Sequence, residues 1–303
     1  MSTNRRAGGL SPARDNYSRT RADLRAALLG TRNKDGGWGY AAGRRSRIEP
    51  TCWASLALGH SEGRAPDVES LRAWNRQDNW LVDVPGTPPN IAFNALAALT
   101  LLQEPSTAPL AQPIVSRLIQ TKGLTFPQSE VLRQDSSIQA WPWVDGTASW
   151  VEPTAWCLLL LKKARSHSHS REASERIQVG ERFLFDRVCH DGGWNYGNKE
   201  VYGTKLWPYV PTTALALLAM RDHRTHSVVA RSLEQLKKDV ASERSVSSIA
   251  LTMICLRAYG AATDSLERTI IELLAQADPD NLLGAAMTLY ALTDVSRQVA
   301  FTV

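Results

Sequence analysis

Glu152 stands among indoles. In the run Trp150-Val151-Glu152-Pro153-Thr154-Ala155-Trp156, with Trp143 a few residues earlier, a carboxyl group is set among apolar rings. Desolvation there disfavours the ionised form, raises the pKa and keeps the proton on, which is what a general acid needs. Asp145 is the other acid of this stretch. Trp141, Trp143, Trp150, Trp156, Trp207 and Tyr209 cluster in the same part of a chain that holds ten tryptophans. They are candidates for a substrate-binding wall, whose π faces hold cations and apolar groups. The competing role is that of wedges between neighbouring helices. Glu152 has its own structural alternative, because an acid in a helix's first turn suits the helix dipole and a proline there loses no hydrogen bond. Glu49-Pro50-Thr51 is the same tripeptide elsewhere, and helix-start chemistry accounts for both copies at once.

The elements that position these groups are read from repetition. Asp35-Gly36-Gly37-Trp38-Gly39-Tyr40, then Glu49-Pro50-Thr51, returns as Trp141-Pro142-Trp143-Val144-Asp145-Gly146, then Glu152-Pro153-Thr154, and again as Asp191-Gly192-Gly193-Trp194-Asn195-Tyr196, then Val210-Pro211-Thr212. Each copy runs on into an Ala/Leu-rich stretch of helical length, and fainter copies complete a set of six. The predicted inner helices begin near Thr51, Ile91, Thr154, Thr212, Ser248 and Gly284. Between them lie amphipathic segments near 17–29, 66–76, 108–120, 171–187, 227–239 and 264–276, whose polar faces suit an outer layer. The spacing leaves residues 122–139 as an insertion outside the ring. Asp35 and Asp191 read as turn-closing residues, and His167, His169 and His190 as loop residues.

These motifs resemble the prenyltransferase and squalene-oxidase repeat, shared by terpenoid cyclases and protein prenyltransferase β-subunits, over most of the chain. The resemblance implies an all-α (α/α)6 toroid with a central cavity for an isoprenoid or similar apolar chain. In the prenyltransferases an Arg-x-x-Lys-x-x-Asp-Gly-Cys run supplies diphosphate-binding cations and zinc ligands; here the run is Gln139-Ala140-Trp141-Pro142-Trp143-Val144-Asp145-Gly146-Thr147. Of the cations and zinc ligands only the Asp is kept, the position of the histidine ligand is Pro, and neither a zinc site nor any other cofactor is expected. Class II cyclases carry an acidic motif ending in Thr-Ala, and laying it on Thr154-Ala155 puts Glu152 over the proton-donating Asp, without its flanking acids. The resemblance therefore implies proton-initiated cyclisation or isomerisation of an apolar small molecule; a non-catalytic toroid with a peptide, protein or lipid partner is the alternative.

Composition bounds the rest. One toroid domain over 17–303, preceded by a flexible basic tail over 1–16, uses the whole 303-residue chain. Lys and Arg number 35 against 30 Asp and Glu. The excess gathers at Arg5, Arg6, Arg14, Arg19, Arg21 and Arg44-Arg45-Arg47 without interleaved aromatics, so no nucleic-acid partner is expected. The longest nearly apolar stretch, 91–102, falls short of the ~20 residues that span a bilayer. Cys52, Cys157, Cys189 and Cys255 lack metal-type spacing. Reduced thiols and the lack of a transmembrane segment lead to the expectation of a cytoplasmic protein.

Overall fold

A computed structural model describes residues 12–59, 71, 75–82, 84–128, 131–165, 170–294 and 298–301. Its helices are α1 (Pro12–Gly30), α2 (Ile48–Leu58), α3 (Ile91–Leu101), α4 (Ala108–Gln120), α5 (Val151–Arg165), α6 (Arg171–Asp186), α7 (Val210–Ala219), α8 (Ser227–Asp239), α9 (Val246–Ala258), α10 (Asp264–Leu274) and α11 (Leu282–Ala291). Six of them, α2, α3, α5, α7, α9 and α11, pack each on the next, and α11 packs back on α2 to close a ring. These are the Ala/Leu-rich stretches; α3 and α7 are buried over nearly their whole length, as helices apolar on every side must be. Around them α4, α6, α8 and α10 each cover an inner helix, and α1 covers α11. This is the (α/α)6 toroid. The outer segment near 66–76 lies outside the described residues except for Leu71, Asn75 and Arg76, as do residues 1–11 and both His167 and His169. The first outer helix starts at Pro12, so the end of the segment read as a tail belongs to α1. Among the described residues strand is confined to two small antiparallel hairpins, β1 (Asn75–Gln77) with β2 (Trp80–Val82) and β3 (Glu200–Val201) with β4 (Thr204–Lys205). No helix among the described residues is long and apolar enough to cross a membrane.

One clasp recurs at the top of the ring. The Trp38 amide donates to Thr51 Oγ1 at 3.0 Å, and that hydroxyl lies 3.2 Å from the Trp38 carbonyl as its donor. Trp141 with Thr154 and Trp194 with Thr213 repeat the pair. In the second repeat Asn94 does the same for Leu81 with its side-chain amide, accepting at 2.7 Å and donating at 3.0 Å. Each tryptophan also ties down the preceding outer helix: the indoles of Trp38, Trp141 and Trp194 donate to the carbonyls of Leu28, Leu118 and Leu184 at 2.7, 2.9 and 2.7 Å. Those carbonyls lie in last turns, where no backbone donor remains within the helix. The turn before the wedge must be glycine: Gly193 has φ +76°, and a Cβ there would come within 2.7 Å of Pro208 and 2.9 Å of the Thr213 hydroxyl.

The clasp corrects the predicted helix starts. Thr51, Thr154 and Thr213 are the fourth residues of their helices, where the amide makes the first i to i−4 bond, to Arg47, Trp150 and Tyr209. Glu-Pro occupies the orphan-donor positions inside the first turn instead of preceding the helix, so the inner helices begin two to three residues earlier than predicted at every repeat except the second. There Ile91 is the first helical residue and Asn94 the equivalent of Thr51. In the fourth repeat Thr213, not Thr212, makes the clasp, and the Thr212 hydroxyl is buried without a hydrogen-bond partner. The neighbouring threonines therefore predict opposite results. Thr213→Val strands a buried amide and should lower the unfolding free energy by about 1–3 kcal/mol in urea denaturation. Thr212→Val, the same change one residue away, should be neutral or stabilising.

Candidate active site at the mouth of the toroid

All six inner helices start at one end of the ring, so the residues of their first turns converge there. The second residue is Glu49 in α2 and Glu152 in α5; α3, which lies between these helices, has the small Ala92 at that position. The clasped loops bring a second set. Two residues beyond each wedge tryptophan stand Tyr40, Trp143 and Tyr196, whose carbonyls accept from the first amides of α11, α3 and α5 at 3.0, 2.9 and 3.0 Å. Each of these bonds joins one repeat to the loop of the next, and the one from Leu282 to Tyr40 closes the circle. The mouth is thus built from backbone, and three aromatic side chains are held at equivalent places around it.

A cleft of about 720 Å³ opens between the third and fourth repeats. Trp143, Val144 and Thr147 line it with Ala148, Trp150, Tyr196 and Glu152. Burial pushes Glu152 up to about 7, the negative charge of Glu49 adds to the rise, and the neighbouring Trp156 indole opposes it. Burial also raises Glu49, against the Tyr40 hydroxyl and the nearby Arg47. The hydroxyl donates to Glu49 Oε2 at 2.7 Å, and the Arg47 guanidinium lies 5.7 Å from the centre of the Tyr40 ring. The two carboxyl groups sense one another but differ in surroundings, with indoles around Glu152 and a phenol and guanidinium around Glu49. Burial raises both, and Glu49 alone has a hydroxyl and a guanidinium beside it that favour its ionised form.

One turn below, four aromatic rings pack together. Trp53 and Trp156 meet edge to face at 6.2 Å, with Tyr290 and Phe301 packed against them. The cleft described above lies at the mouth of the ring, above this aromatic layer.

The candidate residues separate accordingly. Glu152, Trp143 and Trp150 face the cleft together, and Tyr209 borders it through a 5.0 Å ring contact with Tyr196. Trp207 is 74% exposed and is not part of the cleft lining. Trp141 is fully buried in the wall beneath the Arg176 guanidinium, 4.1 Å from the ring centre, and Trp156 lies under Glu152. Asp145 is half exposed and pairs with Arg117 at 3.4 Å on the rim. Asp35 closes its turn through the Gly37 amide and the Ser46 hydroxyl, whereas Asp191 pairs with His190 at 2.8 Å and the Ser232 hydroxyl takes the Gly193 amide. Glu49, Tyr40 and Tyr196 were not among the predicted site residues. Their signal is equivalence, since each occupies in its repeat the position that Glu152 or Trp143 holds in the third.

The zinc set of the prenyltransferases does not fit this mouth, whose lining includes neither thiol nor imidazole. Glu181, Asp222 and His223 do bring ligand atoms together elsewhere among the described residues. The Lys162 ammonium already takes a cation's place there, at 2.7 Å from Glu181, 2.6 Å from Asp222 and 2.8 Å from the Ala219 carbonyl.

No family model matches the sequence, and no curated protein is similar to it at a significant level. Solved structures match over nearly their whole length. An inactive variant of an α-1,6-mannanase from Salegentibacter, in complex with α-1,6-mannotriose, is 8% identical with a TM-score of 0.59 over 94% of this chain and 99% of that one. An α-amylase from Clostridium perfringens is 9% identical with a TM-score of 0.63 over 90% and 97%. A type II terpene cyclase from Scytonema, in complex with its product merosterolic acid A, is 14% identical with a TM-score of 0.54 over 94% and 98%. The likeness shows the toroid. It is shared with glycan-acting and terpene-cyclising enzymes alike, and so is not particular to the prenyltransferase and squalene-oxidase repeat.

Raising a carboxyl group's pKa in the folded state fixes the sign of a stability effect. Folding favours the protonated form, so the contribution of Glu152 is fully present below the ordinary carboxylate range and is lost as pH rises through about 7. Glu152→Gln should therefore match the parent near pH 4 and exceed it in unfolding free energy by about 1–3 kcal/mol at pH 8. Urea denaturation at the two pH values measures the difference.

Proposed function

We propose that the protein is an acid–base enzyme working in the mouth cleft on a glycosidic or similarly acid-labile C–O bond of a hydroxylated ring substrate. The observation that carries this reading is the pair Glu49 and Glu152, two half-buried acids supplied by different repeats and given different surroundings. Glu152 protonates the leaving oxygen, the C–O bond breaks with its electron pair going to that oxygen, and the Glu49 carboxylate stabilises the oxocarbenium centre that forms. Water then adds to that carbon and returns a proton to Glu152, which balances the cycle as hydrolysis. The flat faces of Trp143, Trp150 and Tyr196 suit stacking against a sugar ring. Water access supports the same reading: Tyr196 is 53% exposed, and hydrolysis needs the solvent that a carbocation cascade must exclude. Glycan-acting enzymes among the structurally similar proteins are consistent with it.

Proton-initiated cyclisation of an isoprenoid is the second reading, favoured by the aromatic rings around the acid. One experiment separates the two. The purified protein is incubated with a panel of oligosaccharides and with linear polyprenyl substrates, and products are followed by reducing-end release and by gas chromatography with mass spectrometry. We expect glycan cleavage that falls by about 10²–10⁴-fold in both Glu152→Gln and Glu49→Gln, with the fold intact. Cyclised hydrocarbon lost in Glu152→Gln would install the cyclase reading instead, and turnover indifferent to Glu152→Gln would remove that residue from both.

A further inference from the structure

Among the described tryptophans Trp207 alone is exposed, at 74%, so it is no wedge between repeats. Its backbone fixes where the indole faces. The Trp207 carbonyl accepts from the Asn195 side-chain amide at 3.3 Å, and the Tyr209 amide donates to the Trp194 carbonyl at 2.9 Å. Backbone groups two residues apart that point to the same side belong to extended chain, whose side chains alternate between two faces; Tyr209 is itself extended, with φ −112° and ψ 140°. Pro208, between them, packs inward, where a Cβ on Gly193 would come within 2.7 Å of it. Trp207 and Tyr209 therefore share the outward face. The Tyr209 ring lies 5.0 Å from that of Tyr196, which lines the cleft, so an aromatic surface runs from the cleft over the rim to Trp207.

The arm that carries this ring is anchored. In the β3–β4 hairpin Glu200 pairs with Arg133 at 3.3 Å, and the turn residue Tyr202 donates its amide to the Val131 carbonyl at 3.0 Å. Just before it, Lys199 Nζ donates to the Asp186 carbonyl at 2.8 Å. A platform already held in place loses little freedom when a ligand stacks on it, and an indole has only two torsions to fix. The residues that lead up to Trp207 include the exposed Thr204 and Lys205, and both tyrosines carry hydroxyls. The centre of a protein-binding surface is depleted of charge. Rings set among hydrogen-bonding groups suit instead a ligand that alternates apolar ring faces with hydroxyl edges, which is the make-up of a sugar chain.

We propose that Trp207, with Tyr209 beside it, is an outer stacking subsite for an oligosaccharide: sugar units beyond those in the cleft lie along this ledge, and the substrate is a chain of sugars rather than a single glycoside. The inference rests on the glycan reading of the cleft and adds the length of its ligand.

Manno-, gluco- and xylo-oligosaccharides, from disaccharide to hexasaccharide, are titrated into the ¹⁵N-labelled full chain carrying Glu152→Gln, so that bound sugar is not consumed. Indole ¹⁵N–¹H signals are followed, that of Trp207 being assigned by its loss in Trp207→Phe. One series should shift the Trp207 signal once its members are long enough to leave the cleft, and the hexasaccharide should bind more tightly than the disaccharide. Trp207→Ala should weaken hexasaccharide binding about tenfold, and Trp207→Phe should restore part of it. Leu29→Ala, which truncates an apolar side chain 52% exposed on α1, should change neither affinity nor signal. Cleavage by the parent chain with a Trp207 signal indifferent to every length, or hexasaccharide affinity unchanged in Trp207→Ala, would overturn the ledge and leave the cleft reading in place. Sugar that shifts Trp207 but is never cut by the parent would do the reverse, sinking hydrolysis while the ledge stands. A chain that binds none of the three series loses both. A dimer in sedimentation that Trp207→Ala splits into monomers would assign the ledge to a second copy and end the proposal.

Discussion

A side-chain hydroxyl bonded both ways to one peptide unit is the joint on which the toroid depends. Thr51, Thr154 and Thr213 each satisfy an amide, and point their own proton at a carbonyl, in loops that enter an apolar ring where water cannot serve. Because the threonine is always the fourth residue of its helix, the joint sets the height of the loop against the first helical turn. The aromatic residue two places beyond the wedge and the acid two places before the threonine therefore arrive at the same level in every repeat that has them. The site is a consequence of this joint more than an addition to it.

The repeats have diverged around it unequally. In the fifth and sixth, Ile249 and Ala285 stand where threonine would, and no Gly-Gly-Trp loop precedes them. Their helix starts are held locally, by the Ser245 hydroxyl accepting from the Ser248 amide and the Asn281 side chain accepting from the Gly284 amide. Short connections on that side and aromatic loops on the other leave the mouth lopsided, with its lined cleft at the third and fourth repeats. Electrostatics is also divided. Helix N-termini favour negative charge, but for Glu152 the loss of solvent and the neighbouring carboxylate outweigh that favour.

The ring of helices was legible because its signals are local: Gly-Gly before Trp, Pro in a first turn, and apolar stretches too uniform to face water. Helix starts were displaced because Pro tolerates any of the first orphan-donor positions, and only the clasp distinguishes among them. Glu152 was legible as a desolvated acid among indoles. Glu49 was read as a second copy of a helix start, since nothing in a linear chain shows that a ring turns two copies of one tripeptide to face a common centre. Asn94 replaced threonine with a different functional group, and its role became visible only with its hydrogen bonds. The aromatic cluster below the mouth had no sequence signal at all, because Phe301 follows the last repeat and resembles none of it.

The seam of the ring has a consequence for how the chain reaches this state. α1 covers α11, α11 packs on α2, and the Leu282 amide reaches back to the Tyr40 carbonyl, so each of the earliest helices has a partner among the latest. Closing that seam joins residues separated by almost the whole chain, the kind of contact that makes folding slow. During synthesis the α2 face that will receive α11 has to wait uncovered until nearly everything else has been made. An open arc of repeats can grow by adding neighbours, each new hairpin stabilised by the last; a closed circle has one step that no neighbour helps. The intermediate most exposed to aggregation is then a nearly complete arc with its first and last inner helices still apart.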